Sequence, residues 1–244
     1  MMLVLIRPLQ TLSDSLAQFE RAGLPLACQG IALQDICVSE EGKLTLTNSL
    51  SESIKPVDVM IVTSQHAADV LVPIFRHLPP KLLPKTIIAI GDKTRAAMAE
   101  YAPFCVVPDE HTSEGVLSMS ELNAPEQQRV VIVKGQGGRT TMHDELTQRG
   151  AWVEQFNVYQ RNMLPISEPV TQAIQAANML VVTSGEVVEH ILELIQPTLL
   201  SAIQWIVPSQ RIANILIQHG LNSVHISAGA SDSALLKCVH QITE

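Results

Sequence analysis

At about 150 residues per domain, a chain of 244 residues holds one large domain or two small ones. Hydrophobic residues make up 46% but only eight are aromatic, so the core must be aliphatic, built from Val, Ile, Leu and Ala. That excludes a disordered chain and suits a parallel sheet covered by helices on both faces. A net charge of −8 argues against a protein whose main work is gripping nucleic acid, which needs an excess of base.

The compartment is bounded in the same way. Met1 to Ile6 is an apolar run of six stopped by Arg7-Pro8, too short for a signal peptide and without a small-residue cleavage site. No stretch reaches the roughly 18 apolar residues of a membrane helix. Cys28, Cys37, Cys105 and Cys238 are scattered with no CxxC pair, so they read as free thiols rather than disulfides. The expectation is a soluble cytoplasmic protein.

In chain order, Leu3 to Ile6 reads as a short buried strand broken by Arg7-Pro8. A helix follows, capped by Ser13 or Asp14, with Leu16 and Phe19 on its apolar face and Gly23 just past its end. The polar stretch from Val38 to Ser53 reads as a loop or hairpin. Val57 to Thr63 is a strand leading through Ser64 into a helix with Ala67, Val70, Leu71 and Ile74 on one face. Ile87 to Ile90 is a strand leading to Gly91-Asp-Lys-Thr94. Val130 to Val133 is a strand, Gly135-Gln-Gly-Gly138 a turn, and residues 140–149 a helix stopped by Gly150. Ala177 to Ser184 repeats the strand from Val57 and its end, and Val187, Val188, Ile191 and Leu194 mark the helix after it.

These units recur. Arg7 aligns with Lys134 and Gly23 with Gly150 at one offset of 127, while Thr63-Ser64 aligns with Thr183-Ser184 at an offset of 120. Fainter pairs are Ile87–Thr94 with Ile206–Arg211, and Thr112-Ser113 with Ser231-Asp232. A series of strand–helix units present twice implies two similar doubly wound domains. Right-handed crossovers put all strand-to-helix turns on one edge of each sheet, the edge that holds Arg7, Ser64, Thr94, Gly135, Ser184 and Ser209. If the two edges face each other, they line a cleft with hydroxyls, glycine amides and a few bases.

Several motifs admit a plain structural reading beside a functional one. Gly135-Gln-Gly-Gly138-Arg139 fails the dinucleotide pattern, because the third glycine position holds Thr140. The turn either accepts an anion on bare amides beside Lys134 and Arg139, or is only a tight turn. Gly91-Asp-Lys-Thr94 lacks the Gly-Lys pair and upstream Gly of a phosphate-binding loop, so Thr94 caps or lines its helix or touches a substrate. Ser64 and Ser184 stand at helix starts as caps or ligand contacts, and neither sits in a GxSxG elbow. The eight histidines form no HExxH, so no metal site is expected. Tyr159, one of two tyrosines, lies in the extended run Phe156–Arg161; its phenol is a candidate proton donor, and an ordinary strand tyrosine is the alternative.

An ordered set of short motifs spans nearly the whole chain. It comprises Leu5-Ile-Arg-Pro8, Asp58 with Val62-Thr-Ser64, Ala89-Ile-Gly-Asp-Lys-Thr94, Val107-Pro-Asp109 with Thr112-Ser-Glu-Gly115, Lys134 to Arg139, Gly150, Val158-Tyr-Gln-Arg161 and Val182-Thr-Ser184. In that order and spacing the set resembles uroporphyrinogen-III synthase. The resemblance implies an α/β fold of two flavodoxin-like doubly wound parallel-sheet domains joined by a two-stranded linker. It also moves the boundary. The repeat alone would cut near residue 125, whereas the family arrangement pairs residues 1–34 with 162–244 and inserts 35–161 between them. The linker strands would run near Ala32–Val38 and Gln155–Arg161.

The resemblance further implies an enzyme, a lyase of porphyrin and heme biosynthesis. It closes hydroxymethylbilane, a linear tetrapyrrole, into uroporphyrinogen III with inversion of the last pyrrole ring and loss of water, and it uses no cofactor. Tyr159 and Thr94 match the suspected catalytic positions. Arg7, Ser64, Lys134 and Ser184 lie at matching strand ends as substrate contacts; Gly135 and Arg139 of the glycine turn, and Ser209 and Arg211 where the chain departs from the family pattern, are further candidate contacts. Many members carry a second Gly-x-x-Thr turn where this chain has Val207-Pro-Ser-Gln-Arg211. The implied partners are the small-molecule substrate and, transiently, the preceding pathway enzyme, with no nucleic acid or membrane and a monomeric chain. The competing reading is a non-catalytic bilobal binding protein.

Overall fold

A computed structural model of the chain describes residues 1–53 and 55–243. Strands and helices alternate along it. The chain opens with β1 (Met2–Pro8), α1 (Leu9–Arg21), β2 (Ala27–Val38) and α2 (Glu40–Glu52). Next come β3 (Val59–Val62), α3 (Gln65–His77), β4 (Thr86–Ala89), α4 (Asp92–Ala97), β5 (Cys105–Val106) and α5 (Ser113–Leu117). β6 (Arg129–Gly135), α6 (Thr141–Gln148), β7 (Trp152–Met163) and α7 (Glu168–Gln175) follow. The last third holds β8 (Met179–Val182), α8 (Gly185–Leu194), β9 (Gln204–Val207), α9 (Gln210–Gln218), β10 (Val224–Ile226) and α10 (Asp232–Thr243). Among the described residues no helix is long and apolar enough to cross a membrane.

These elements fall into two compact units, Met1–Ile36 with Asn162–Glu244, and Cys37–Arg161. The chain leaves the first unit inside β2 and returns to it inside β7. In the discontinuous unit the strands lie in the order β2-β1-β8-β9-β10, each parallel to its neighbours in that order. Counted in chain order that is 2-1-3-4-5. In the continuous unit the order is β7-β6-β3-β4-β5, again parallel. Starting the count at β6 gives the same 2-1-3-4-5. So β6 corresponds to β1 and β3 to β8, the two correspondences that the offsets of 127 and 120 mark.

Burial on both sheet faces explains the aliphatic composition. Along β1, Leu3 and Leu5 pack with Phe19, Leu235 and Val239 on one face. Val4 and Ile6 pack with Val188, Ile191 and Leu216 on the other. In the continuous unit Val59, Ile61, Ile88, Val130 and Ile132 pack against Val116, Leu117, Met142 and Leu146. Each fully buried aliphatic side chain contributes about 1.5–3 kcal/mol, so short strands of four residues hold without aromatics.

Two local expectations are corrected. The stretch expected as a loop or hairpin, Val38 to Ser53, contains helix α2. Ser39 caps it by accepting from the Gly42 N–H at 3.1 Å, and Leu46 and Leu50 are its buried residues. Helix α1 begins at Leu9 rather than after Ser13, because Pro8 already ends the strand and presets the backbone for the turn into the helix.

In a 2-1-3-4-5 sheet the strand order reverses between strands 1 and 3, and the crevice at their carboxyl ends is where such sheets take ligands. In the continuous unit this reversal lies between β6 and β3, with Val133 beside Val62. Gly135 and Ser64 therefore leave the sheet next to each other. The other unit reverses between β1 and β8, where Ile6 lies beside Val182.

Candidate active site

At the reversal point of the continuous unit stands Tyr159. The pairing of β6 with β7 slips by one residue, so that Lys134 faces Asn157 and Gly135 faces Tyr159. This irregularity brings the tyrosine ring over Gly135, where a Cβ would lie 2.5 Å from Cζ. The Gln136 N–H donates to the Tyr159 carbonyl at 2.7 Å and locks the strand there. The residue is 3% exposed, in keeping with a ring packed flat on the sheet end.

Its oxygen is held by two donors. Ser64 Oγ donates at 3.0 Å and Arg161 Nη2 at 3.2 Å. Ser64 also caps α3, accepting from the Ala67 N–H at 3.2 Å. A line of polarised bonds thus runs from the positive end of a helix through a serine hydroxyl to the phenol oxygen. The Arg161 guanidinium carbon lies 5.4 Å from the ring centroid, and the His66 ring meets Tyr159 edge-on at 5.6 Å. Burial holds the His66 imidazole below the ordinary histidine value; Asp69 opposes this and Arg161 adds to it. With two hydrogen bonds already entering the oxygen, the phenol's own hydrogen is left to donate elsewhere.

Further cations and amides lie in the turn that leaves β6. Lys134 is only 9% exposed and donates to the Arg139 carbonyl at 3.2 Å, and burial depresses its pKa. Gly137 and Gly138 both take left-handed φ values, +76° and +77°, which fold the turn back toward the lysine. Arg139 points outward and pairs with Glu114 at 2.9 Å, both exposed. Thr94 does not cap its helix, which is a correction to the capping reading. The N-cap of α4 is Gly91, no side chain makes a cap hydrogen bond there, and Thr94 is the buried third residue of the helix.

The discontinuous unit arranges its own strand ends differently. Arg7 forms an ion pair with Asp232 at the start of α10 and donates to Thr183 Oγ1 at 3.1 Å. Ser15 donates to the second oxygen of the same carboxylate at 3.0 Å, so Arg7 joins β1, β8 and α10. Ser184 and Ser209 are the N-caps of α8 and α9, yet neither side chain makes a cap hydrogen bond. Arg211 lies against the first residue of α8, its Nη1 3.3 Å from where a Cβ on Gly185 would be. Two uncommitted hydroxyls and a guanidinium thus gather at two helix starts.

The model of the uroporphyrinogen-III synthase HemD family matches residues 31–237. The chain belongs to that family. It is 28% identical over 193 residues to uroporphyrinogen-III synthase of Escherichia coli K12, covering 75% of this chain and 78% of that one. It is 29% identical over 160 residues to the Salmonella typhimurium LT2 synthase, covering 62% and 65%. Among solved structures it resembles a mutant uroporphyrinogen III synthase of the extreme thermophile Thermus thermophilus, with a TM-score of 0.65 at 16% identity over 99% of this chain and 100% of that one. The Helicobacter pylori 26695 synthase gives 0.63 at 16% over the same shares. At these identities the two structures establish the shared fold.

For a member of this family, the structure gathers Tyr159, Ser64 and Gly135 at one point, with Lys134 beside them at the end of β6. It groups Ser184 with Arg211 separately, in the other unit. Arg7 and Arg139 are engaged with carboxylates. Arg161 and His66 were not singled out from the sequence as site residues. For Arg161 a signal existed: two residues beyond Tyr159 on an extended strand, it shares the tyrosine's face. For His66 none did, since only the fold brings the first turn of α3 against β7.

Proposed function

We propose that Tyr159 supplies the proton with which this family's reaction begins. The enzyme cyclises hydroxymethylbilane to uroporphyrinogen III. The family reaction loses the substrate hydroxyl as water to give an azafulvene, which the terminal ring attacks through a spiro intermediate before closure. Uncatalysed closure gives the uninverted isomer, so holding the flexible chain in one geometry is half of the work. A phenol whose oxygen already accepts two hydrogen bonds can direct its hydrogen at the departing hydroxyl. That single arrangement carries the reading.

The substrate's acetate and propionate groups need local anion contacts, because the protein's overall charge is negative. Lys134 and the amides of the Gly135–Arg139 turn support such contacts, as do Ser184, Ser209 and Arg211. Thr94 is retained as a candidate on its match to the family's Gly-x-x-Thr turn, and it lies buried in the first turn of α4. Arg7 is assigned the smaller part of fixing the end of β1, since Asp232 neutralises it. The steps require proton transfer and restraint only, so no cofactor is given a role.

The same reading extends to organisation and setting. The 2-1-3-4-5 strand order supports a flavodoxin-like fold for each unit, taken as two domains joined through β2 and β7. Free thiols at Cys28, Cys105 and Cys238 support a reducing, cytoplasmic compartment. The phenol and its donors come from one unit of one chain, which supports a monomer, with any contact to the preceding pathway enzyme transient. The family match favours an enzyme over a binding protein. The test is direct. Purified protein is given fresh hydroxymethylbilane, and the oxidised products are separated by isomer. Isomer III should dominate; isomer I at the rate of a protein-free control would refute the reading.

A further inference from the structure

Arg161 is unlike the other arginines at the strand ends. Arg7 pairs with Asp232 and Arg139 with Glu114. Arg161 is exposed, and among the described residues its hydrogen-bond partner is the Tyr159 oxygen, with no carboxylate beside it. Its guanidinium also lies over the tyrosine ring, 5.4 Å from the centroid. A guanidinium that could sweep freely through water is instead folded back over a ring two residues earlier on its own strand. The same oxygen also takes the Ser64 hydroxyl, which is itself polarised by the Ala67 N–H.

We infer that Arg161 and Ser64 are positioning residues that form a two-donor cradle for the Tyr159 oxygen and stabilise it as phenolate once its proton has gone. The inference rests on the proposed role of Tyr159 and deepens it. In the first step the phenol O–H bond breaks and the proton joins the substrate hydroxyl. The carbon–oxygen bond then breaks with both electrons staying on oxygen, and water departs. The pyrrole nitrogen's electron pair moves in to give the cationic azafulvene, and the phenolate oxygen carries the balancing negative charge inside the cradle. At closure, the ring carbon that has formed the last bond gives up its proton. The phenolate takes that proton, so the enzyme ends as it began. Donors already in place cost no reorganisation when the charge appears.

The test is a double-mutant cycle with Arg161→Met and Tyr159→Phe, followed by kcat and KM separately. Arg161 is exposed, so the variant should fold, which a melting curve checks. In the wild-type background Arg161→Met should lower kcat about tenfold with little change in KM. This is less than the roughly 10²–10³ found for donors in dry sites, because water reaches the guanidinium. Arg161→Lys should recover part of the loss. In the Tyr159→Phe background, where the oxygen is gone, Arg161→Met should cost less than about twofold. A raised KM with kcat retained in both backgrounds would overturn the inference and make Arg161 a carboxylate anchor. Equal kcat losses in both backgrounds would overturn it too. Should Tyr159→Phe prove too slow to measure, the split between kcat and KM in the wild-type background decides. If the wild-type chain yields only isomer I, the proposed function fails; if it yields isomer III and the cycle is additive, this inference alone fails.

Discussion

The ring of Tyr159 occupies the space in which a side chain at residue 135 would begin. A Cβ on Gly135 would lie 2.5 Å from Cζ, 2.6 Å from Cε2 and 2.8 Å from Oη. Only a glycine lets the tyrosine lie against the end of β6, so the turn glycine and the phenol form one structural feature. Gly135→Ala should push the ring out of its cradle. Overpacking of this kind costs typically about 1–3 kcal/mol, and kcat should fall at least as far as it does for Tyr159→Phe. Thermal melts and steady-state kinetics on the variant check both halves.

Ser64 and Ser184 occupy equivalent places in the repeat, yet only one of them caps. Ser64 accepts from the Ala67 N–H, whereas Ser184 makes no side-chain cap bond. Ser64→Ala should lose about 1 kcal/mol of stability, and Ser184→Ala should stay within about 0.5 kcal/mol of wild type. Equal losses in denaturant titrations would show that the two helix starts are alike.

Asp58 ties the amino-terminal ends of three strands in the continuous unit. Its carboxylate accepts from Lys85 Nζ at 2.7 Å and from the Arg129 N–H at 2.9 Å. Burial works to raise its pKa, but the Lys85 and Arg129 hydrogen bonds together with the Lys85 charge outweigh it and hold the value below the ordinary one. A folded-state value below that of the unfolded chain gives stability that is present above about pH 4. It is lost as the pH falls through the folded value. Wild type should therefore exceed Asp58→Asn in stability at about pH 7, with the gap closing below about pH 4. A gap constant down to about pH 3 would contradict the assignment.

Much of the fold was legible because burial on both sheet faces leaves short aliphatic runs that cannot be mistaken. The residues after those runs repeat as well: Thr63-Ser64 with Thr183-Ser184, and Lys134 with Arg7. The permuted order in the continuous unit follows from the same two offsets. Helix α2 was not legible because its stretch is rich in Ser and Thr and carries Gly42 within the first turn. The glycine is there because a Cβ would collide with the Asn157 carbonyl, a contact that only the folded chain reveals. The Ser39-Glu40-Glu41 start was the signal available for it. Within the site, strand ends were readable from the sequence. Which cation was already neutralised was not, because the carboxylates of Arg7 and Arg139, Asp232 and Glu114, come from distant segments.

Chemistry at this site turns on whether the Tyr159 hydrogen goes to the departing hydroxyl. Tyr159→Phe keeps the ring and its packing on Gly135 and removes only that hydrogen and its oxygen. A positioned general acid contributes about 10²–10⁴-fold, so kcat should fall at least about tenfold. Affinity for uroporphyrinogen III should hardly move, since a bond used only in the transition state does not appear in ground-state binding. The deciding measurement is kcat of Tyr159→Phe on hydroxymethylbilane, with product affinity determined on the same preparation. A variant of near-full activity would contradict the role given to Tyr159, and a stably folded but inactive Thr94→Ala beside it would move the catalytic role to Thr94.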